Sequence, residues 1–324
     1  MRHMSSVSLV AAVCLSVSGT VFGETKWDMP TPYGDGVHHT KNIRAFAEDV
    51  QTATNGELVI NVHSGASLFK HGEIHRAVRT GQVPIGEVFM GLLGNNDPVY
   101  KLDNLPFLAS DFESARKLWA ASRPEVEKSL AKEGLMLLYA MPWPAQGLYS
   151  SNKIEKLSDI KGAKMRSYSA TLSRLSVLLE ATPTTVQTPE IPQAFSTGMI
   201  NMMITSPTTG VSSQSWDYVS NYNDIRAWIP KNMVFVNKRK FMRLPEAAQK
   251  AVLDAAARAE QRGWEMAIEE TSINTAKLAE HGIIVSEPDA KLVDDFKKIG
   301  EVMVKEWDEE IGESGQTILN AYQK

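Results

Sequence analysis

The chain lacks the features that define disulfide-stapled, membrane-spanning or nucleic-acid-binding proteins. Its 324 residues contain one cysteine, Cys14, so no intramolecular disulfide, Cys-x-x-Cys pair or cysteine-based metal cluster can form. Beyond the N-terminal segment, the longest apolar run, residues 83–94, contains Glu87 and is too short to span a bilayer. A formal net charge of −4 is not the basic balance of a nucleic-acid-binding protein. The composition, 43% hydrophobic and 22% charged, is that of a globular protein, and the length predicts about two domains.

Common catalytic and cofactor-binding motifs are also missing. The sequence has no GxGxxG, GxxxxGK[ST] or GxSxG. His71-Gly72-Glu73-Ile74-His75 spaces two histidines by one helical turn, but Glu73 does not follow the first histidine directly and no third ligand is near. We therefore interpret this segment as a solvated helix face rather than a metal site. His38-His39 is interpreted as the polar start of a helix, and we expect no metal, no cofactor and no catalytic residue.

Residues 1–23 have the pattern of a targeting segment. Arg2 gives a basic start, an apolar stretch covers about residues 7–17, and Val21-Phe22-Gly23 is a small-residue cleavage pattern. We interpret the segment as a secretory signal peptide that is cleaved after Gly23. The alternative, a membrane anchor, needs ~20 apolar residues, more than this run supplies. Export predicts that the mature chain works in the periplasm.

The rest of the sequence alternates between strand and helix patterns. Short strand-like runs such as residues 58–63 and 83–90 are separated by stretches with helical spacing such as residues 111–133. This rhythm predicts an α/β fold with largely parallel sheets. Residues 245–281 are predicted to form one very long helix, and Pro288 is predicted to open another that continues to the end.

Arg166 ends the segment Lys161-Gly162-Ala163-Lys164-Met165-Arg166, which leaves a turn and enters an extended stretch. A planar guanidinium matches a carboxylate with two parallel hydrogen bonds, which an ammonium group cannot do. By pattern alone, an exposed surface charge is the simpler interpretation of any single arginine. The surrounding motifs change that balance.

Six short segments share their order and spacing with one family. They are the 65–81 helix with its closing Gly-Gln-Val, Leu105-Pro106-Phe107-Leu108, the stretch 157–166, Ala181-Thr182-Pro183, the stretch 193–198 and Ser206-Pro207. Together they resemble the extracytoplasmic solute receptors of tripartite ATP-independent periplasmic (TRAP) transporters, the dicarboxylate-receptor-like family. The stretch that ends in Arg166 is the most specific, and the resemblance covers nearly all of the mature chain.

The resemblance implies two α/β domains of the periplasmic-binding-protein type, joined by crossing strands around a ligand cleft. Domain I is expected to comprise residues 24–145 plus 232–272, and domain II residues 146–231 plus 273–324, with the long helix running along both. The implied function is a non-catalytic periplasmic receptor that captures a small organic acid by hinge closure. Its implied partners are the small and large membrane subunits of a TRAP transporter. The alternative is a periplasmic enzyme or sensor that acts on a small organic acid.

The resemblance also implies site residues. Arg166 occupies the position at which the family's arginine forms a salt bridge to the ligand carboxylate. Gly147 stands where many members carry a second arginine, and Ser206 where members often have asparagine. Three second-rank candidates could instead be ordinary loop polarity: Gln146, Ser206 and Thr188.

Five aromatic side chains lie on strands or strand-end loops that either face the cleft or pack the domain cores: Phe89, Phe69, Trp143, Tyr33 and Tyr168. Aromatic walls favour apolar or ring-bearing ligands. With Arg166 as the one cation placed in the cleft, a second ligand carboxylate would lack the partner that it needs when desolvated. We therefore predict a monocarboxylate with an apolar or compact uncharged body rather than a dicarboxylate or a sugar acid. A cation brought in from Lys70 or Arg76 would instead restore a second anionic subsite.

Overall fold

The protein has two lobes, each built around its own strands, in a computed structural model that describes residues 24–324. Within these residues there are eleven strands: β1 (Thr25–Pro30), β2 (Leu58–His63), β3 (Ile85–Phe89), β4 (Leu135–Pro142), β5 (Gly147–Ser150), β6 (Lys164–Ser167), β7 (Thr182–Thr185), β8 (Met202–Thr205), β9 (Asn221–Asn223), β10 (Lys231–Asn237) and β11 (Ile284–Ser286). The ten α-helices are α1 (His38–Ala53), α2 (His71–Arg79), α3 (Phe112–Lys132), α4 (Ala170–Leu178), α5 (Ile191–Ser196), α6 (Pro207–Ser212), α7 (Lys238–Phe241), α8 (Glu246–Glu280), α9 (Ala290–Ile311) and α10 (Glu313–Tyr322). The predicted signal peptide, residues 1–23, lies outside the described residues.

Lobe 1 contains the parallel pair β1–β2 and the antiparallel sheet β3–β10–β4. Strand β10 is central and all seven of its residues are buried, which suits its apolar run Met233-Val234-Phe235-Val236. Helix α1 turns Ile43, Phe46 and Val50 into the same core. Burial on both faces holds β10 rigidly between its neighbours.

Lobe 2 contains a six-stranded sheet in the order β11-β9-β5-β8-β6-β7. Strand β6 is parallel to both β7 and β8, and β9 is parallel to β11. Strand β5 is antiparallel to β8 and β9, just as β10 is antiparallel to β3 and β4. The prediction of largely parallel sheets is therefore wrong for β5 and β10, because each follows a segment that crosses between the lobes and enters its new sheet in the opposite direction.

Helix α8 runs along both lobes, as predicted. It packs against α1 and β4 in lobe 1 and against α6 and β11 in lobe 2. Gly263, which interrupts the helical pattern of the sequence, lies where α8 meets lobe 1. A Cβ atom there would lie 2.7 Å from Met141 Cγ and 3.0 Å from Asn42 Nδ2, so glycine permits the close approach of the helix to α1 and β4.

The C-terminal segment contains two helices instead of the single predicted helix. Gly312 has a φ of 69°, a left-handed conformation that ends α9 and separates it from α10. Helix α9 contacts α4 of lobe 2 and the 3₁₀ segment Pro98–Asn104, whereas α10 packs against α3. Trp307 Nε1 on α9 donates a hydrogen bond of 2.7 Å to the Pro98 carbonyl. The domain boundaries given above remain a prediction.

Candidate functional site

A narrow cavity with a free volume of about 30 Å³ lies between the two lobes. Segments of lobe 1 contribute Tyr33, His71, Phe89 and Trp143, and segments of lobe 2 contribute Gln146, Arg166, Tyr168, Gln187, Thr188, Thr205 and Thr209, with Pro230 from the segment before β10. Because both lobes supply its wall, the cavity depends on how the lobes are closed over each other.

Arg166 lies on β6, between β7 and β8, and is 2% exposed. Its Nε donates to the Val186 carbonyl at 3.0 Å, and its guanidinium carbon lies 4.8 Å from the ring centre of Tyr168. It forms no salt bridge within residues 24–324. Burial lowers the pKa of Arg166 to about 10, so the side chain stays charged at neutral pH. A buried charge without a counter-ion is costly, and a bound anion would remove that cost.

Two threonine hydroxyls contact the guanidinium, and a third, that of Thr209, belongs to a residue that lines the same cavity. Thr188 Oγ1 and Thr205 Oγ1 accept hydrogen bonds from Arg166 at 3.4 and 3.5 Å. Thr209 Oγ1 accepts from Ser206 Oγ at 3.1 Å. Since each of these oxygens is already an acceptor, its own proton remains available to a bound oxygen. This end of the cavity is rich in donors, which suits a carboxylate.

Gln146 and Tyr168 form the next polar pair. The Tyr168 hydroxyl donates to Gln146 Oε1 at 3.0 Å, and Gln146 Nε2 donates to the Pro144 carbonyl at 2.8 Å. The amide of Gln146 retains one N–H and one lone pair. It therefore offers a donor and an acceptor side by side, the pattern that a neutral amide in a ligand would match.

The lobe 1 side of the cavity is aromatic. Tyr33 meets Trp143 edge to face, with ring centres 5.0 Å apart, and Phe89 meets Tyr168 of lobe 2 in the same way at 5.3 Å. Trp143 Nε1 donates to Asn232 Oδ1 at 2.8 Å. The indole N–H is therefore already engaged, and Trp143 presents an apolar surface to the cavity.

Glu87 lies behind this aromatic wall on β3. It is 1% exposed and accepts hydrogen bonds from Thr31 Oγ1 at 2.5 Å and from Asn232 Nδ2 at 2.8 Å. Burial raises the pKa of Glu87 to about 7, against the opposing effect of these two hydrogen bonds. A carboxyl group that takes up a proton so readily adds less negative charge beside an anion site than an ordinary glutamate would.

Six of the eight predicted binding residues line the cavity: Arg166, Gln146, Phe89, Thr188, Tyr33 and Tyr168. The other two are not in its wall. Ser206 is 1% exposed and caps α6, where its Oγ accepts from the Thr209 backbone N–H at 3.1 Å. Phe69 is half-buried and packs against the large apolar core that links the lobes. Trp143, the remaining cleft aromatic considered from sequence, does line the cavity.

Four further residues line the cavity but were not predicted as binding residues: His71, Gln187, Thr205 and Thr209. The interpretation of His71 and His75 as a solvated face is wrong, because His71 is half-buried against the cavity and His75 is 6% exposed. His38 and His39 do begin α1, but both are buried, and the ring centre of His39 lies 4.1 Å from that of Trp143 at a tilt of 31°. Gln187 could have been predicted as a binding residue, because it is the sequence neighbour of the candidate Thr188.

In the range 24–324, no group of three or more His, Cys, Asp or Glu side chains is placed to hold a metal ion. None of the helices in that range is both long enough and apolar enough to cross a membrane.

The two-lobed α/β fold with a closed interlobe cavity defines a periplasmic-binding-protein-type receptor. The model of the bacterial extracellular solute-binding protein family 7 (DctP) matches residues 34–310, and the chain belongs to this family. Its members are receptors of TRAP transporters rather than enzymes, and they work outside the cytoplasm with a membrane permease. The predicted receptor class and fold class are thereby confirmed.

Three solved structures are particularly similar, each with a TM-score of 0.91. DctP7 of Bordetella pertussis, an extracytoplasmic solute receptor binding pyroglutamic acid, is 47% identical and covers 93% of this chain and 100% of its own. DctP6 of the same organism, also described as binding pyroglutamic acid, is 40% identical, with coverages of 92% and 99%. A marine metagenome TRAP solute-binding protein, solved with co-purified pyroglutamate, is 36% identical, with coverages of 93% and 99%.

Proposed function

We propose that this receptor captures a compact cyclic monocarboxylate, with pyroglutamate as the specific ligand, and delivers it to the small and large membrane subunits of a TRAP transporter. Pyroglutamate has one carboxylate on a five-membered ring that contains a neutral amide. Each of these parts has a counterpart in the cavity wall.

The observation that carries the proposal is the buried, unpaired guanidinium of Arg166. Of the described residues that line the cavity, Arg166 alone carries a formal charge. One ligand carboxylate would neutralise it. A second carboxylate, or the ammonium group of an open-chain amino acid, would be buried without a partner, which costs several kcal/mol per ion.

The size and chemistry of the rest of the cavity favour a small ring. The free space left in the closed cavity is about 30 Å³, far below the ~300–1,000 Å³ of most ligand pockets, so the closed lobes would accommodate only a compact ligand. The aromatic faces of Tyr33, Phe89 and Trp143 suit an apolar ring surface and leave the hydroxyl groups of a sugar acid without partners there. The donor–acceptor pair on Gln146 would pair with the ring amide. The three similar receptors described as pyroglutamate-binding support the same ligand.

Gly147 supports a site with a single cation. Gly147 on β5 pairs with Thr205 on β8, and β8 is the neighbour of β6, the strand that carries Arg166. A Cβ atom on Gly147 would lie only 2.2 Å from Tyr222 Cε2. The tyrosine ring therefore fills the space that a longer, charged side chain would need.

We also propose that residues 1–23 are removed on export and that the receptor releases its ligand unchanged. The first proposal rests on the basic, apolar and small-residue pattern of that segment. The second rests on the family, whose members are binding proteins, and on a site that supplies hydrogen bonds and charge without a paired nucleophile and base.

Calorimetric titration of the mature receptor tests the ligand. We expect tight binding of L-pyroglutamate and much weaker binding of proline, which has the same ring but a charged amine, and of glutamate, which is the opened form. Cyclopentanecarboxylate, which keeps the ring and the acid, measures the contribution of the ring amide. Tight binding confined to succinate, malate or glucuronate would overturn the proposal. Recovery of chemically altered pyroglutamate would indicate an enzyme instead.

A further inference from the structure

His71 and Gln187 make a direct hydrogen bond across the cleft. His71 is the first residue of α2 in lobe 1, and Gln187 follows β7 in lobe 2, 116 positions later in the chain. His71 Nδ1 lies 3.3 Å from Gln187 Oε1, and both side chains line the cavity. The bond therefore joins the two lobes at the edge of the ligand site.

The other ring nitrogen of His71 shows which nitrogen carries the proton. The backbone N–H of Phe89 donates to His71 Nε2 at 3.1 Å, so Nε2 is an unprotonated acceptor. Nδ1 then carries the proton and donates to Gln187 Oε1. With its oxygen engaged in this way, Gln187 retains the two N–H donors of its amide, and as a residue of the cavity wall it can donate to a bound carboxylate or carbonyl oxygen.

We propose that His71 and Gln187 are the pair that closes the receptor over its ligand, and that closure requires an uncharged His71. A charged imidazole has two donors and no acceptor, so it would face the Phe89 N–H with another N–H. The inference rests on the proposed function, because it concerns the binding of a carboxylate at Arg166. His71 acts here as a positioning residue, through Gln187.

The surroundings of His71 favour its neutral form. Burial, with a smaller contribution from the positive charge of Arg166, lowers the pKa of His71 to about 4, against the opposing effect of the Gln187 bond. Titratable and charged groups on its own helix and on the facing elements include Lys70, Glu73, His75, Tyr33, Glu87, Arg166 and Glu190. Of these, Glu73 bonds the Lys70 backbone N–H and Glu190 the Gln187 backbone N–H, so neither carboxylate is the partner of the imidazole.

The proposal predicts weaker ligand binding in acid. If His71 titrates near its ordinary value of about 6.5 in the open receptor, closure must expel a proton at every pH below that value. The closed form is then fully favoured above about pH 6.5 and loses stability as the pH falls toward 4. We expect the Kd for L-pyroglutamate to rise about 10- to 30-fold between pH 7.5 and pH 5, where the ligand carboxylate is still ionised.

Two variants separate the bonds of His71. His71→Asn retains a donor near the Nδ1 position, facing Gln187, and His71→Gln retains an acceptor near the Nε2 position, facing Phe89. Neither can titrate. We expect both to remove the pH dependence, while other titrating groups such as Glu87 remain as in the wild type. His71→Gln and Gln187→Ala should each weaken binding at pH 7.5 by about 3- to 10-fold. Combined in one protein, their effects should not add, because both remove the same bond.

Calorimetry at pH 7.5 and pH 5 on these four proteins and the wild type decides the matter. A wild-type affinity that is the same at both pH values, or a His71→Asn variant that keeps the wild-type pH dependence, would overturn the inference while pyroglutamate binding at pH 7.5 stands. Absence of pyroglutamate binding at pH 7.5 would overturn the proposed ligand, and the pH series would then use whichever tested monocarboxylate binds. If no carboxylate binds, the proposed function and this inference both fail.

Discussion

The two faces of the cavity differ in chemistry. Lobe 2 contributes a guanidinium, three threonine hydroxyls, two amides and the phenol of Tyr168, whereas lobe 1 contributes the rings of Tyr33, His71, Phe89 and Trp143. The polar face neutralises and orients a charge, and the aromatic face covers it. We infer that lobe 2 recognises the ligand carboxylate and that lobe 1 selects for the shape of the rest of the ligand.

The same difference suggests an order of events. Arg166 is held by its own lobe, through the Val186 carbonyl and the threonines, so it does not need lobe 1 to keep its orientation. The Phe89–Tyr168 contact crosses the cleft, so we expect it to break when the lobes open, together with any contact between the lobe 1 aromatic rings and a ligand bound to lobe 2. A ligand that improves those contacts shifts the receptor toward the closed state.

The largest effect is expected from the charge of lobe 2. Arg166→Ala should cost roughly 2–5 kcal/mol of binding, and Arg166→Lys should recover only part of it, because an ammonium cannot form the bidentate pair. The thermal stability of the ligand-free protein should be unchanged or higher, since Arg166 has no salt bridge to lose within the described residues. Calorimetry and thermal unfolding measure the two effects.

Arg174→Ala is the matched control for Arg166. It removes the same charge from the same lobe, at an exposed pair with Glu306. We expect it to leave ligand affinity unchanged. Equal affinities of Arg166→Ala and the wild type would contradict the assignment of the carboxylate to lobe 2.

Lobe 1 contains the buried carboxyl group of Glu87, which should make the stability of the protein depend on pH. Because the pKa of Glu87 is raised to about 7, the folded state holds this proton more tightly than the unfolded state does. Glu87 therefore lowers the free energy of unfolding as the pH rises from about 4.5 to 7, by about 1–3 kcal/mol in total. In Glu87→Gln this loss should be absent, so the variant should gain stability relative to the wild type between pH 5 and pH 8.

Urea unfolding at the two pH values tests Glu87 directly. The pKa values of His38 and His39 are lowered by burial, so their stabilising contribution disappears in acid, but it is common to both proteins and cancels in the difference. If the stability difference between wild type and Glu87→Gln is the same at both pH values, Glu87 does not titrate in the folded protein.

Gly147 tests whether lobe 2 has space for another side chain. Gly147→Ala would bring a methyl group to within 2.2–2.6 Å of Tyr222 atoms, so it should destabilise the fold by about 1–3 kcal/mol. Gly72→Ala is the control, because it lies in helix α2 with nothing within 4 Å of the new Cβ. It should be neutral or slightly stabilising. Similar free energies of unfolding for the two variants would show that Tyr222 does not fill this space.

The smallest effect is expected from the aromatic face. Phe89→Leu removes the edge-to-face contact with Tyr168 across the cleft, worth about 0.5–1.5 kcal/mol. Ligand dissociation, measured by stopped flow, should accelerate up to about 10-fold with little change in association, because the contact forms after capture. Phe112→Leu, which loses a similar contact to Trp264 away from the cavity, should leave both rates unchanged. A slower association in Phe89→Leu would mean that lobe 1 takes part in the first encounter.

Much of the local structure could be predicted from the sequence. The long helix α8 is encoded in its own continuous pattern, whereas Arg166 was placed in the site by its position in the family motif. The terminal helix was predicted as one element because a glycine in a helical pattern does not by itself reveal a positive φ. Strand β10 was not predicted, because its short apolar run is its only local signal.

The sequence by itself determined the α/β class, the absence of disulfides, the carboxylate candidate Arg166 and the aromatic residues from which the opposite wall is drawn. Only the tertiary structure decided which side chains meet. His71 looked like a surface histidine because its partners, Phe89 and Gln187, are 18 and 116 residues away in the chain. Ser206 looked like a ligand contact but its oxygen is used to cap α6. Periodicity reports which face of an element is buried, whereas the closing of two lobes brings together residues whose spacing carries no local signal.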